Sequence, residues 1–183
     1  MISRKSWWIL ICINLVMIVL MTLSGSPLKN KATPDGIINL ELAEDSAAVQ
    51  NTLNVWSNDI SQEKDLLNVA RENTYLDFLF LACYTALFYF ACKHLGNSFI
   101  KGSLAERACK VMAVIAILAG VLDLVENGGM LLYLKSEVTR DVVRITHAAS
   151  LAKWLLVVLM VIFIPLMFIY RSLIAKNSGF RRN

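Results

Sequence analysis

What this chain lacks narrows its reading first. Only 17% of its 183 residues are charged, proline occurs three times and histidine twice. With so little charge, a soluble domain could not cover its apolar majority, and no concentrated basic field exists to hold a nucleic acid. The four cysteines form no CxxC pair, and none falls between residues 25 and 74, the only sizeable polar stretch. That distribution argues against a disulfide framework and against a four-helix thiol oxidoreductase, leaving the cysteines as small apolar packing residues. The GxxxxGK[ST] phosphate loop, the GxSxG elbow and the HExxH zinc motif are also missing. The common signatures of nucleotide, acyl-transfer and metallopeptidase chemistry therefore do not apply. No internal repeat or low-complexity tract is visible either.

What is abundant is apolar: 57% of the residues, with a mean hydropathy of +0.57. Crossing a hydrocarbon layer takes about 20 helical residues. Four blocks approach or exceed that length, at about 7–23, 75–92, 111–134 and 148–170. The expected fold is all-α: a polytopic membrane protein, one domain, built as a four-transmembrane-helix bundle. Arg4 and Lys5 precede the first block and Thr22-x-Ser24 could follow it as a cleavage site. Its 17 apolar-rich residues nevertheless exceed a usual signal-peptide core, which favours an uncleaved anchor.

Charge sets the orientation. The N-terminus, the 93–110 loop and the C-terminal tail hold ten basic residues and one acid, whereas segments 25–74 and 135–146 hold seven basic residues and ten acids. Basic residues collect on the cytoplasmic side, so both termini are expected inside. The formal +4 charge is thus a topology signal, and the basic face is placed to meet anionic lipid.

The outer loop, 25–74, opens with the turn Thr33-Pro34-Asp35-Gly36. Val49, Leu53, Trp56 and Ile60 then recur at helical spacing. A second helical stretch from about Ser61, carrying Leu66, Leu67 and Ala70, is expected to run into the second span. These helices predict an extracytoplasmic cap lying across the bundle's mouth, with Trp56 near the lipid headgroups.

The costly residues lie in the third block. Gly120-Val121-Leu122-Asp123-Leu124-Val125-Glu126-Asn127 sets two acids and an amide amid apolar sequence. Ala113, Ala116, Gly120, Asp123, Asn127 and Met130 share one helical face, and small residues there let a neighbouring helix approach closely. Lys153 is the only basic residue inside any span. A hairpin turning near Glu137 would set Lys153 at the depth of Asp123, and His147 at the depth of Asn127. Asp77 and, two turns deeper, Tyr84 occupy one face of the second span. The expectation is an Asp123–Lys153 pair, extended by Glu126 and Asn127 toward His147, because a partner offsets the cost of a buried charge. Pro165 is expected to kink the fourth span.

Three functions fit. The favoured one is a non-enzymatic membrane protein whose polar network is structural and whose cap contacts a partner, a second copy or lipid. A small proton, ion or ligand carrier or sensor using Asp123, Glu126 and Lys153 is the alternative from a second class. The third is an enzyme acting on a lipid headgroup or quinone, with Glu126 or His147 as general base and Tyr84 or Lys153 orienting the substrate. A metal centre of Asp123, Glu126 and His147 is the weakest reading, since three ligands at loose spacing specify little. No cofactor and no nucleic-acid partner is expected; the bilayer itself is the expected partner.

Several motifs together carry a resemblance: Thr33-Pro34-x-Gly36-Ile37, Leu40-Glu41-Leu42-Ala43, Trp56, Leu76-Asp77-Phe78-Leu79-Phe80, Asp123-Leu124-Val125-Glu126-Asn127 and Lys153. With these, the chain resembles an uncharacterised family of small four-span bacterial inner-membrane proteins with a D-x-x-E-N motif in the third span. The resemblance covers most of the chain. It implies a bacterial inner (cytoplasmic) membrane and the four-span fold, and no activity. A long first and short second outer loop are also claudin-like, but the paired loop cysteines of those proteins are absent.

Overall fold

The computed structural model describes the backbone over residues 4–59 and 65–180 and side chains over 5–59 and 65–174. Ile60, the stretch from Ser61 to Lys64 and the side chains of Arg4, Lys176, Arg181 and Arg182 lie outside the described residues. Within them the chain is helical: α1 (Arg4–Gly25), α2 (Ile37–Glu41), α3 (Ser46–Ser57), α4 (Leu66–Gly96), α5 (Leu104–Tyr133) and α6 (Arg140–Phe180). Four of these helices, α1, α4, α5 and α6, are long and apolar enough to cross a membrane.

Local chemistry sets the helix ends. Asp45 accepts the Ala48 N–H at 2.8 Å to start α3, and Asp65 accepts that of Leu67 at 2.9 Å to start α4. Ser103 caps α5 through the Glu106 N–H, while the Glu106 carboxylate accepts the Gly102 N–H. Each such bond satisfies a donor that the first helical turn leaves open. The α5–α6 hairpin turns on Ser136, held at φ +64. There the Glu137 N–H returns to the Leu132 carbonyl and the Ser136 N–H to that of Tyr133, a left-handed helix stop more often built on glycine. Arg71 closes the same end from α4, donating to the Leu134 carbonyl at 3.3 Å.

The long helices pack in antiparallel order, α1 on α4, α4 on α5 and α5 on α6. Side-chain pairs record the register. Along α4 and α5, Asp77 meets Asn127, Tyr84 meets Asp123, and Thr85 crowds Gly120. Along α5 and α6, Gly129 faces Thr146, and Asp123 faces Lys153. Helix α1 stands outermost, fastened to α4 by amides: Asn14 donates to the Cys83 carbonyl at 3.2 Å, and Asn73 to Ser24 Oγ at 2.6 Å. His94 packs edge-on against Trp7 of α1 at 5.6 Å.

Segment 25–59 folds over the end of the bundle where α4 begins and α5 ends. Leu28, Leu40, Val49 and Trp56 form one buried cluster with Leu66, Ala70, Met130, Tyr133 and Val143. Trp56 therefore faces the protein interior. It is 1% exposed, and its indole N–H donates to the Leu28 carbonyl at 3.1 Å and to Thr33 Oγ1 at 3.2 Å. Its ring supplies more burial inside the segment than at any surface, and its one polar atom finds partners there. Helix α4 starts 9 residues before the expected span and continues without interruption. Helix α6 likewise continues through Pro165.

Of the glycines on the long helices, Gly129 is the most closely approached. A Cβ built there would fall on the Thr146 hydroxyl, so α5 and α6 meet at a spacing only hydrogen allows. Gly129→Ala is therefore expected to destabilise the purified protein by about 1–3 kcal/mol through overpacking. Adding Thr146→Ala should restore most of the melting temperature. A Gly129→Ala protein that melts with the parent would show that the helices are less tightly apposed.

Candidate functional site

Four helices converge on one buried polar layer. Helix α6 brings Lys153, with its Cα–Cβ bond tilted toward the α6 N-terminus and so toward the end covered by α2 and α3. Helix α5 brings Asp123, Glu126 and Asn127, tilted the opposite way because the helices are antiparallel. The acids and the lysine thus lean into one another. Helix α4 adds Asp77 and Tyr84, and the short α2 adds Glu41. All seven side chains are buried.

Distances rank the contacts. Lys153 Nζ lies 2.8 Å from Glu126 Oε1 and 2.7 Å from Oε2, 3.3 Å from Asp123 Oδ1 and 3.7 Å from Glu41 Oε2. Glu126 is the principal partner, since it presents both oxygens at contact distance to a compact ammonium. Asp123 is shared: it also accepts the Tyr84 hydroxyl at 2.7 Å through its other oxygen. Tyr84 is held by aromatic neighbours on its own helix, Phe80 and Phe88. Asn127 donates to Asp77 Oδ2 at 2.9 Å. At Glu41, the Trp154 indole N–H donates at 3.4 Å, and Lys153 Nζ lies 5.3 Å from the Trp154 ring centre.

Six of the seven residues singled out as a buried network come together here: Asp77, Tyr84, Asp123, Glu126, Asn127 and Lys153. The seventh, His147, does not. Its Nδ1 is buried without a hydrogen-bond partner, and Asn127 turns instead to Asp77. The reason is register. Gly129 lets Thr146 dock against it, so Asn127 faces α4 rather than the residue after Thr146. Among the described residues no three acidic, imidazole or thiol groups converge in a metal-ligand arrangement.

Sequence reasoning missed Glu41 and Trp154. Glu41 was legible in principle as the one acid within Ile37-Ile38-Asn39-Leu40-Glu41-Leu42-Ala43. An acid isolated in apolar sequence needs a buried partner as much as Asp123 does. Assigning it to a loop lying across the bundle's mouth hid that need. Trp154 gives no sequence signal, since it is one of many large apolar residues on α6.

Two apolar grooves lie on the long helices. One, of about 430 Å³, runs between α4 and α5 past Thr85, Ile117, Gly120 and Leu124; the other, of about 400 Å³, lies along α1 past Trp8, Cys12 and Val16. Comparison with family models, curated proteins and solved structures gives no match for the chain.

Glu126 and Lys153 provide the decisive energetic test. Removing one member of a buried pair strands the other, at a cost of about 3–5 kcal/mol. Glu126→Gln and Lys153→Met are each expected to destabilise the detergent-solubilised protein strongly, and the double variant by less than their sum. The expected coupling is about 1–3 kcal/mol. Additive effects would show that the two groups do not depend on each other.

Proposed function

We propose that this chain is a non-enzymatic integral protein of the bacterial inner membrane. In this reading it has four spans, cytoplasmic termini, and a helical extracytoplasmic cap that a partner protein, a second copy or lipid contacts. The observation that carries it is the position of Lys153, which stands between Glu41 of α2 and the Asp123–Glu126 pair of α5. One ammonium thereby ties segment 37–41 to two long helices.

A catalytic or carrier layer needs a path for its substrate. Glu126, at the centre of this layer, has no exposure. An ion network of this kind gives little net stability against an apolar replacement, but it specifies which surfaces meet. Its role is to fix the cap in one orientation. The surface so presented is polar, with Gln50, Asn54 and Ser57 exposed along α3 while Val49, Thr52 and Trp56 face inward. The charge asymmetry between the two sets of loops supports cytoplasmic termini, and the four apolar helices support the membrane setting.

Two measurements test the reading. With the native cysteines replaced, Asn54→Cys should react with a membrane-impermeant maleimide on spheroplasts, and Lys101→Cys only after permeabilisation. The reverse pattern would overturn the orientation. Glu41→Gln should then speed amide exchange over residues 37–57 about tenfold, the equivalent of some 1.4 kcal/mol, and leave α5 and α6 unchanged. Unchanged exchange in segment 37–57 would remove the latch.

A further inference from the structure

The end of the bundle where α4 stops and α5 begins is nearly uniform in charge. Across residues 1–24, 93–110 and 154–183, Glu106 is the one acid among ten basic residues. That acid is already engaged: its carboxylate accepts the Gly102 N–H at 2.8 Å and pairs with Lys110 at 2.6 Å. Lys101 and Arg107 are exposed, and among the described residues no acid pairs with either.

A second observation is independent of charge. In the turn that joins α4 to α5, Ile100 is 83% exposed and, at the first residue of α5, Leu104 is 84% exposed. No other large apolar side chain among the described residues is as bare, including those on the outer faces of the long helices. The turn itself is well held. The Ser103 N–H donates to the Ile100 carbonyl at 3.1 Å, Gly102 takes φ +81, and Glu106 secures the Gly102 N–H. Lys101 therefore stands at the tip of a fixed turn with an aliphatic side chain on either side. Arg107 follows Leu104 by one turn of α5. The Phe99 ring meets that of Tyr170 at 5.9 Å, which brings Arg171 of α6 to the same level. Bare aliphatic groups beside unpaired cations suit one environment above others, the boundary between acyl chains and anionic headgroups.

We propose that the α4–α5 turn is a wedge that binds anionic phospholipid: Ile100 and Leu104 enter the acyl boundary, while Lys101 and Arg107 hold the negatively charged headgroup. The site rests on the four-span reading above, which sets this turn where two spans leave the hydrocarbon. It is separate from the Glu41–Lys153 latch, at the other end of α5, and does not depend on it.

The test uses the full-length protein with its native cysteines replaced and a fluorophore attached through Ser98→Cys, which leaves Ile100 and Leu104 in place. It is reconstituted in vesicles of equal parts phosphatidylcholine and phosphatidylglycerol, with brominated acyl chains on one lipid or the other. The expected result is quenching by both, about twice as strong from brominated phosphatidylglycerol. Lys101→Gln with Arg107→Gln should equalise the two and keep the quenching by brominated phosphatidylcholine. A fluorophore at Val158→Cys, on the exposed face of α6, is the reference and should be quenched equally by both lipids. Equal quenching beside the turn in the parent protein would overturn the anionic site, and a preference that survives the double substitution would overturn the roles of Lys101 and Arg107. Quenching at position 158 with none at position 98 would overturn the wedge and leave the four-span reading standing. No quenching at either position would overturn both.

Discussion

A single ammonium group organises the interior of this protein. Lys153 must lose its water to stand among apolar helices, and that loss is tolerable only because Glu126 offers it both oxygens and Asp123 a third. The demand propagates outward. Asp123 can serve Lys153 while also accepting from Tyr84, which fixes the rotation of α4 against α5. Glu41 completes the shell from a different part of the chain, which fixes α2 against α6. Residues far apart in sequence are thus held in one layer by electrostatics.

Packing supplies the complementary constraint. Glycine at 120 and 129 allows α5 to be approached closely from both sides, by Thr85 of α4 and Thr146 of α6. Without those approaches the polar side chains could not span the gap between helices. The small residues and the charges of α5 are therefore one design: the former set the distance at which the latter can pair. Helix α1 is organised differently. It carries no charge into the layer and rests on α4 through two amides and the Trp7–His94 ring contact.

Much of this was legible in the sequence, for identifiable reasons. The long apolar blocks announce themselves by composition, and the all-helical fold with four helices of spanning length follows from them. The pairing of Lys153 with Asp123 follows from counting residues on either side of a tight hairpin, which the left-handed Ser136 makes short enough for the count to work. The same count fails for His147, because equal depth does not decide which face a side chain takes. Gly129 admits Thr146 there, and Asn127 is turned toward Asp77. For Trp56, helical spacing shows that Val49, Leu53 and Trp56 share a face, but not that the face turns inward onto Leu28 and Thr33. Glu41 needed tertiary knowledge of a different kind, that a polar-looking loop dips back into the bundle.

The Glu41 contact also has a consequence for how the chain is made. Synthesis runs from the N-terminus, and Glu41 emerges 112 residues before Lys153, its partner on the last long helix. Asp123 and Glu126 precede Lys153 as well, but they lie on the adjoining helix and meet it across a short hairpin. Short loops close at little entropic cost and long ones at more. The α5–α6 contact therefore closes at less entropic cost than the contact with α2. Glu41 cannot meet this partner until the last of the long helices has been made.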